Sequence, residues 1–258
     1  MFLGGLGACA IGGLAAASTR RGRQLLHRVL DADESPSAAG DLVETSVTQR
    51  GRRYAWTSKK APRAVLLCLH GRGENERFTF ETMRVPDFAH ERGLEVAVLA
   101  VEGGSRSYWH ARHGGVDPLR EIISEVLPRF AGPPVFVLGW SMGGYGALLA
   151  AIEHPSVFAG VIASSAALAG SARESPREAF DDEADFAAHD VWGKRGQLTL
   201  PVRIDCGEDD PFAAANRRLL GQLPHAEGAV RPGFHDARFW RGALPQQLRF
   251  IERVLAGR

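Results

Sequence analysis

The sequence predicts an α/β protein built on a mostly parallel central sheet with helices on both faces. Five short runs, AVLLCLHG, EVAVLAV, PVFVLGW, AGVIASS and PVRIDCG, are apolar almost throughout. Strands without a polar face belong to sheets covered on both sides. Helix-length segments lie between them, and strand alternating with helix is the pattern of parallel crossover units. At 258 residues and 45% hydrophobic content the chain is long enough to bury one core without a second domain.

In chain order, Phe2 to Ala17 is an uncharged run of Gly, Ala, Leu and Ile. It is short for a membrane-spanning helix, which needs about twenty apolar residues. Ala15, Ala16 and Ala17 supply the small residues of a signal-peptide cleavage site. FLGGLGACAIGGLAAAS is similar to the part of a twin-arginine export signal that follows the Arg pair. The expectation is an exported protein whose Arg pair lies upstream of Met1, since no long apolar segment follows Arg20 and Arg21. Lipid attachment at Cys9 and a cytoplasmic location are the alternatives. With the polar DADESPSAAG linker, residues 1–40 read as leader and linker, and residues 41–258 as the folded domain.

LVETSVTQ and RRYAWTS alternate apolar and polar residues around Gly51, which predicts an antiparallel hairpin at a sheet edge. Helices are expected over Phe80–Arg92, Asp117–Phe130, Met142–His154, Pro211–Gln222 and Pro245–Leu255. Residues 168–193, charged and set between two strands, predict a small helical cap. Ten basic residues face five acidic ones between Ser18 and Arg63, the pattern of a solvated face or arm, with contact with an anionic envelope or membrane surface as the alternative. A net charge of +1 gives no electrostatic case for a nucleic-acid partner. The three cysteines are too few for a disulfide framework. Cys68 and Cys206 fall in apolar strands and read as inert core thiols, and no Cys/His spacing predicts a metal site. No phosphate-binding G-x-x-x-x-G-K appears, so neither a nucleotide nor any other cofactor is expected.

Chemistry is concentrated in PVFVLGWSMGGYGALLAAI. Gly139-Trp140-Ser141-Met142-Gly143 fits G-x-S-x-G between an apolar strand and an apolar helix. A tight strand-to-helix turn there holds a serine nucleophile over the helix N-terminus. A serine hydroxyl needs a base, and the base an orienting acid, in the chain order Ser, acid, His. In PVRIDCGEDDPF the spacing G-x-x-D favours Asp210, with Asp209 next and Glu208 also in the loop. His235 is the one histidine after that acid placed between a last strand (228–231) and a final helix, with Asp236 as the helix N-cap. The oxyanion is expected to meet the backbone N–H groups of Met142 and Arg72, the latter in LLCLHGRG. Tyr108, Trp109, Trp140 and Phe212 are the candidate substrate-pocket residues.

HGRGEN, GWSMGGYGALLAA, DCGEDDPF and GFHDARFWRGALPQQLRFI together resemble the esterase branch of the α/β hydrolases. That branch holds S-formylglutathione hydrolase-like (esterase D) enzymes, feruloyl esterases and the antigen 85 mycolyltransferases. The resemblance runs from about Arg63 to Leu255. It implies the α/β-hydrolase fold, with Ser141 as nucleophile, Asp210 as acid and His235 as base. No glutathione- or mycolate-binding signature is recognisable, so the resemblance does not carry over a particular substrate; the expected partner is a small-molecule or lipid ester. A Trp precedes the serine where many relatives carry His. An acyltransferase using a sugar or lipid alcohol is the alternative within the family. A non-catalytic ligand-binding protein on the same scaffold is the alternative outside it.

Overall fold

A computed structural model describes residues 43–57 and 61–258. The export-signal reading, the lipidation reading at Cys9 and the boundary near residue 40 lie outside the described residues.

Eight strands form one sheet: β1 (Val43–Val47), β2 (Arg53–Thr57), β3 (Ala64–Leu69), β4 (Val96–Val101), β5 (Val135–Trp140), β6 (Phe158–Ser164), β7 (Val202–Gly207) and β8 (Ala226–Arg231). Their order is β1-β2-β4-β3-β5-β6-β7-β8. The β1–β2 hairpin is antiparallel, with Val43 opposite Thr57, and β2 joins β4 antiparallel through Tyr54 and Val101. All other pairings are parallel.

Period-two alternation explains why the strands are apolar throughout. In β3, Val65, Leu67 and Leu69 enter one core layer, while Ala64, Leu66 and Cys68 enter the other. Each fully buried leucine here contributes about 2 kcal/mol of transfer free energy. Both layers are covered by helices: α1 (Phe78–Glu81), α2 (Val85–Glu91), α3 (Pro118–Glu121), α4 (Met142–Glu153), α5 (Glu183–Ala188), α6 (Val191–Lys194), α7 (Ala213–Gln222) and α8 (Ala237–Ala256). Among the described residues no helix is long and apolar enough to cross a membrane.

Three helices depart from the sequence expectation. The segment expected as Phe80–Arg92 is two short helices broken at Arg84, whose φ is 53°. Pro86 then takes the first turn of α2, where a missing N–H costs nothing. The segment expected as Asp117–Phe130 begins as α3, widens into a π-helical turn over Ile122–Val126 and tightens to 3-10 geometry over Leu127–Phe130. The final helix starts at Ala237 and carries Pro245 in its interior. Asp236 caps it by accepting the Phe239 N–H at 3.0 Å. Phe239, Trp240, Leu244, Leu248 and Ile251 line its buried face. Burying that face outweighs the roughly 3 kcal/mol that an interior proline costs.

Between β6 and β7 the chain leaves the sheet and forms a cap carrying α5 and α6. Asp182 and Asp190 cap these helices, accepting the N–H groups of Asp185 at 2.8 Å and Trp192 at 2.8 Å. Tyr145 of α4 donates its hydroxyl to His189 O at 2.7 Å, and Arg112 bonds Asp181 Oδ1 from Nε at 3.0 Å. Cys68 and Cys206 are buried free thiols; burial pushes both up, Cys206 to about 12.

Candidate active site

The functional side chains converge because β3, β5, β6, β7 and β8 are parallel neighbours, and each of the loops involved leaves a carboxyl end. The β5–α4 turn is dictated by its glycines. A Cβ on Gly139 would lie 1.9 Å from Gly143 O, and one on Gly143 would lie 1.9 Å from Leu69 O. Only hydrogen fits at either place. The close approach forces Ser141 to φ 55°, ψ −116°, a strained conformation for a non-glycine residue. Three backbone bonds fix it: Ser141 N–H to Ser164 O at 2.9 Å, and Tyr145 N–H and Ala167 N–H to Ser141 O at 3.1 and 3.0 Å.

His235 Nε2 lies 2.9 Å from Ser141 Oγ and His235 Nδ1 lies 2.7 Å from Asp210 Oδ2. With Nδ1–H donating to the carboxylate, Nε2 is left as the acceptor for the serine hydroxyl. The Asp210 side chain is fully buried, and its other oxygen accepts the Phe212 N–H at 2.8 Å. Asp209 sends its N–H to Gly233 O at 3.0 Å, and Glu208 is exposed, so Asp210 is the acid of this loop that meets His235. Asp205, still within β7, is committed elsewhere. It holds Arg203 Nε at 2.8 Å and Gln247 Nε2 at 3.1 Å in the interior.

Opposite the histidine, Gly71 closes on Ser141; a Cβ there would be 3.6 Å from Ser141 Cβ. His70, the histidine of LLCLHGRG, is given a specific role by the structure. His70 Nε2 accepts the Gly103 N–H at 2.9 Å, which leaves the proton on Nδ1, 2.8 Å from Gly71 O. A peptide is planar and trans, so anchoring the Gly71 carbonyl on one side directs the Arg72 N–H to the other. Burial lowers the His70 pKa and so favours this neutral tautomer. Among the described residues neither the Arg72 N–H nor the Met142 N–H is spent on a protein acceptor.

The sequence places Trp240 shortly after the histidine, but sequence reasoning missed Ser165 and the contact Trp240 makes. The indole ring packs edge-on against His235 with centroids 5.1 Å apart, and its Nε1–H donates to Ser165 Oγ at 2.9 Å. Ser165 has φ 50°. Neither residue type nor spacing marks this contact, which exists only once β6 and α8 are packed.

The aromatic residues expected at a pocket wall fall differently. Trp109 is wholly buried, and its ring occupies the space where a Cβ on Gly103 or Gly146 would sit, 2.4 and 2.6 Å away. The glycines around it therefore mark clearance for an indole within the core. Tyr108 is buried against Tyr145 and Phe180, at 5.8 and 6.1 Å between centroids. Strand alternation turns Trp140 to the opposite layer, edge-on to Phe78 at 5.8 Å. Phe212 alone of the four is half-buried beside the site, 5.5 Å from the His235 ring.

His110, Asp185 and His189 are the group of possible metal ligands found among the described residues, with one donor atom each within 4.8 Å of the others. Both His110 ring nitrogens already face backbone carbonyls, Ala111 O at 2.9 Å and Ala179 O at 3.0 Å, which fits a hydrogen-bonded cap joint rather than an open ligand set. A groove of about 540 Å³ beside Pro134, Val135 and Phe158 opens at the amino ends of β5 and β6, the far end of the strands from Ser141.

The family model Hydrolase_4, described as Serine aminopeptidase, S33, matches residues 60–189, half of the chain. The chain belongs to that family. The match takes in Gly71, Arg72 and Ser141 and stops before Asp210 and His235, whose placement rests on the geometry above. Human monoglyceride lipase is 32% identical over 124 residues, covering 43% of this chain and 37% of the relative. The aligned part thus spans little more than a third of that curated relative's length. Among solved structures, a ferulic acid esterase superposes with a TM-score of 0.70 at 22% identity, over 83% of this chain and 98% of that one. An S-formylglutathione hydrolase from Agrobacterium tumefaciens gives 0.68 at 17% identity, over 86% and 99%. At these identities the superpositions establish the α/β-hydrolase fold.

Proposed function

We propose that this member of the Hydrolase_4 family is a carboxylic-ester hydrolase that works through an acyl-enzyme on Ser141. The hydrogen-bonded chain Ser141 Oγ–His235–Asp210 Oδ2, at 2.9 and 2.7 Å, carries the reading. His235 Nε2 takes the hydroxyl proton as Oγ attacks the ester carbonyl, and Asp210 holds the imidazolium that forms. The Met142 and Arg72 N–H groups meet the developing oxyanion. His235 returns the proton to the departing alcohol, and water then releases the acyl group by the same steps in reverse. Family membership and the likeness to a monoglyceride lipase and a ferulic acid esterase support an ester as substrate.

The test is turnover of p-nitrophenyl esters from acetate to palmitate, with alanyl p-nitroanilide alongside because of the family's peptidase description. Ser141→Ala is expected to lower kcat by about 10⁴-fold or more. Asp210→Asn is expected to lower it by about 10³- to 10⁴-fold through the wrong imidazole tautomer. Absence of ester turnover by folded wild-type protein, or turnover that survives Ser141→Ala, overturns the reading.

A further inference from the structure

Two arginines, Arg72 and Arg106, stand on the loops that follow β3 and β4, and the first of these loops packs on Ser141. Gly73 N–H donates to Ser105 O at 2.9 Å, tying the loop after β3 to the loop after β4. That bond brings together the loop segments that carry Arg72 and Arg106. Arg72 follows the glycine that packs on the nucleophile. It is exposed, and its guanidinium makes no hydrogen bond or ion pair among the described residues. Arg106 is ion-paired with Glu178 of the cap. Glu178 sits at φ 66°, a left-handed conformation that a non-glycine residue rarely adopts. Its carboxyl is held below the usual carboxylate range by the Arg106 hydrogen bond and charge, and the charges of Arg177 and Arg72 add to this. Arg72 also acts on Tyr108, opposing the burial that pushes that hydroxyl up to about 12. The Arg106 guanidinium thus contacts the Glu178 carboxylate directly, and the charges of Arg177 and Arg72 reinforce it.

We propose that Arg72 and Arg106 form a carboxylate-binding subsite, that the ester substrate carries a carboxylate, and that Glu178 fills the subsite when no substrate does. The inference rests on the ester-hydrolase reading and names its substrate class. A guanidinium fork matches a carboxylate in shape as well as charge. The Arg106–Glu178 pair is about half exposed on both sides, 58% and 48%, so exchanging one carboxylate for another costs little.

Two matched ester pairs test this. Mono-p-nitrophenyl glutarate against p-nitrophenyl valerate places the charge on the acyl side. 4-Acetoxybenzoate against its methyl ester places it on the alcohol side. In at least one pair the wild type is expected to favour the anionic member by about tenfold in kcat/KM, the scale of one charge-assisted contact. Arg72→Gln and Arg106→Gln should each bring that ratio towards one, and Glu178→Gln should raise it, mainly through KM. The opposite signs separate a binding subsite from a cap that is merely loosened. Turnover without charge preference in either pair, or a preference that survives both arginine substitutions, overturns the subsite and leaves the hydrolase intact. Turnover of no ester at all overturns both.

Discussion

The Ser141 turn and the cap lie on the same side of the sheet but are held by different forces. Around Ser141 the backbone is fixed by contact: Gly139 and Gly143 leave no room for a methyl group, and α4 is buried along nearly its whole length. The cap is fixed by side chains, with Arg112 on Asp181, Arg106 on Glu178 and Tyr145 on His189. Several of those partners are partly exposed, and exposed ion pairs contribute little each. Steric fixation suits a group that must be held to fractions of an ångström for chemistry. Polar fixation suits a wall that has to admit and sort substrates.

The largest expected effect is on the rigid side. Gly143→Ala drives a methyl group into the Leu69 carbonyl. It should cost about 3 kcal/mol or more in chemical denaturation, because strand and helix have to part to relieve the clash. A loss under about 1 kcal/mol would show that the turn yields and would remove the contrast with the cap.

His70 comes next, since it is buried yet acts through hydrogen bonds. His70→Gln should lower kcat by about tenfold through misdirection of the Arg72 N–H, leaving KM nearly unchanged. It should also alter the pH dependence of stability. The folded-state pKa of His70 is lowered by burial from 6.5, so in acid the unfolded chain takes up the proton first. The stability it contributes is complete above about pH 6.5 and is lost as the pH falls below that value. Denaturation midpoints measured from pH 7.5 downward should therefore decline less steeply in His70→Gln than in wild type.

The smallest effect belongs to the cap. Arg112→Ala removes the bonds to Asp181 and to the carbonyls of Glu178 and Ala179. It should cost about 1 kcal/mol in global stability. Limited proteolysis should nonetheless cut between residues 165 and 201 sooner than in wild type, with the sheet left intact. Equal protection of cap and body would mean that they unfold as one unit.

Much of the site was legible in the sequence because its determinants are local. The G-x-S-x-G turn, the G-x-x-D spacing after β7 and the position of His235 before a capped helix each concern a few consecutive residues. Where the sequence misled, distant contacts were responsible. Pro245 looked like a helix start, but the apolar face of α8 extends the helix back to Asp236. Tyr108 and Trp109 looked like pocket-wall residues, but Gly103 and Gly146 make way for the Trp109 indole, which closes the core.

The sequence by itself determined the alternation of strands and helices, the G-x-S-x-G turn at Ser141 and a short set of candidate partners for it, because apolar period and glycine placement act over short stretches. Tertiary structure alone decided that Asp210 rather than Asp209 meets His235, and that His70 aims the peptide of Arg72. It alone set Trp240 against the imidazole and brought Arg72 and Arg106 to one rim. Those relations join residues from separate strands, loops and helices, and they come into being only when the sheet sets its carboxyl ends side by side.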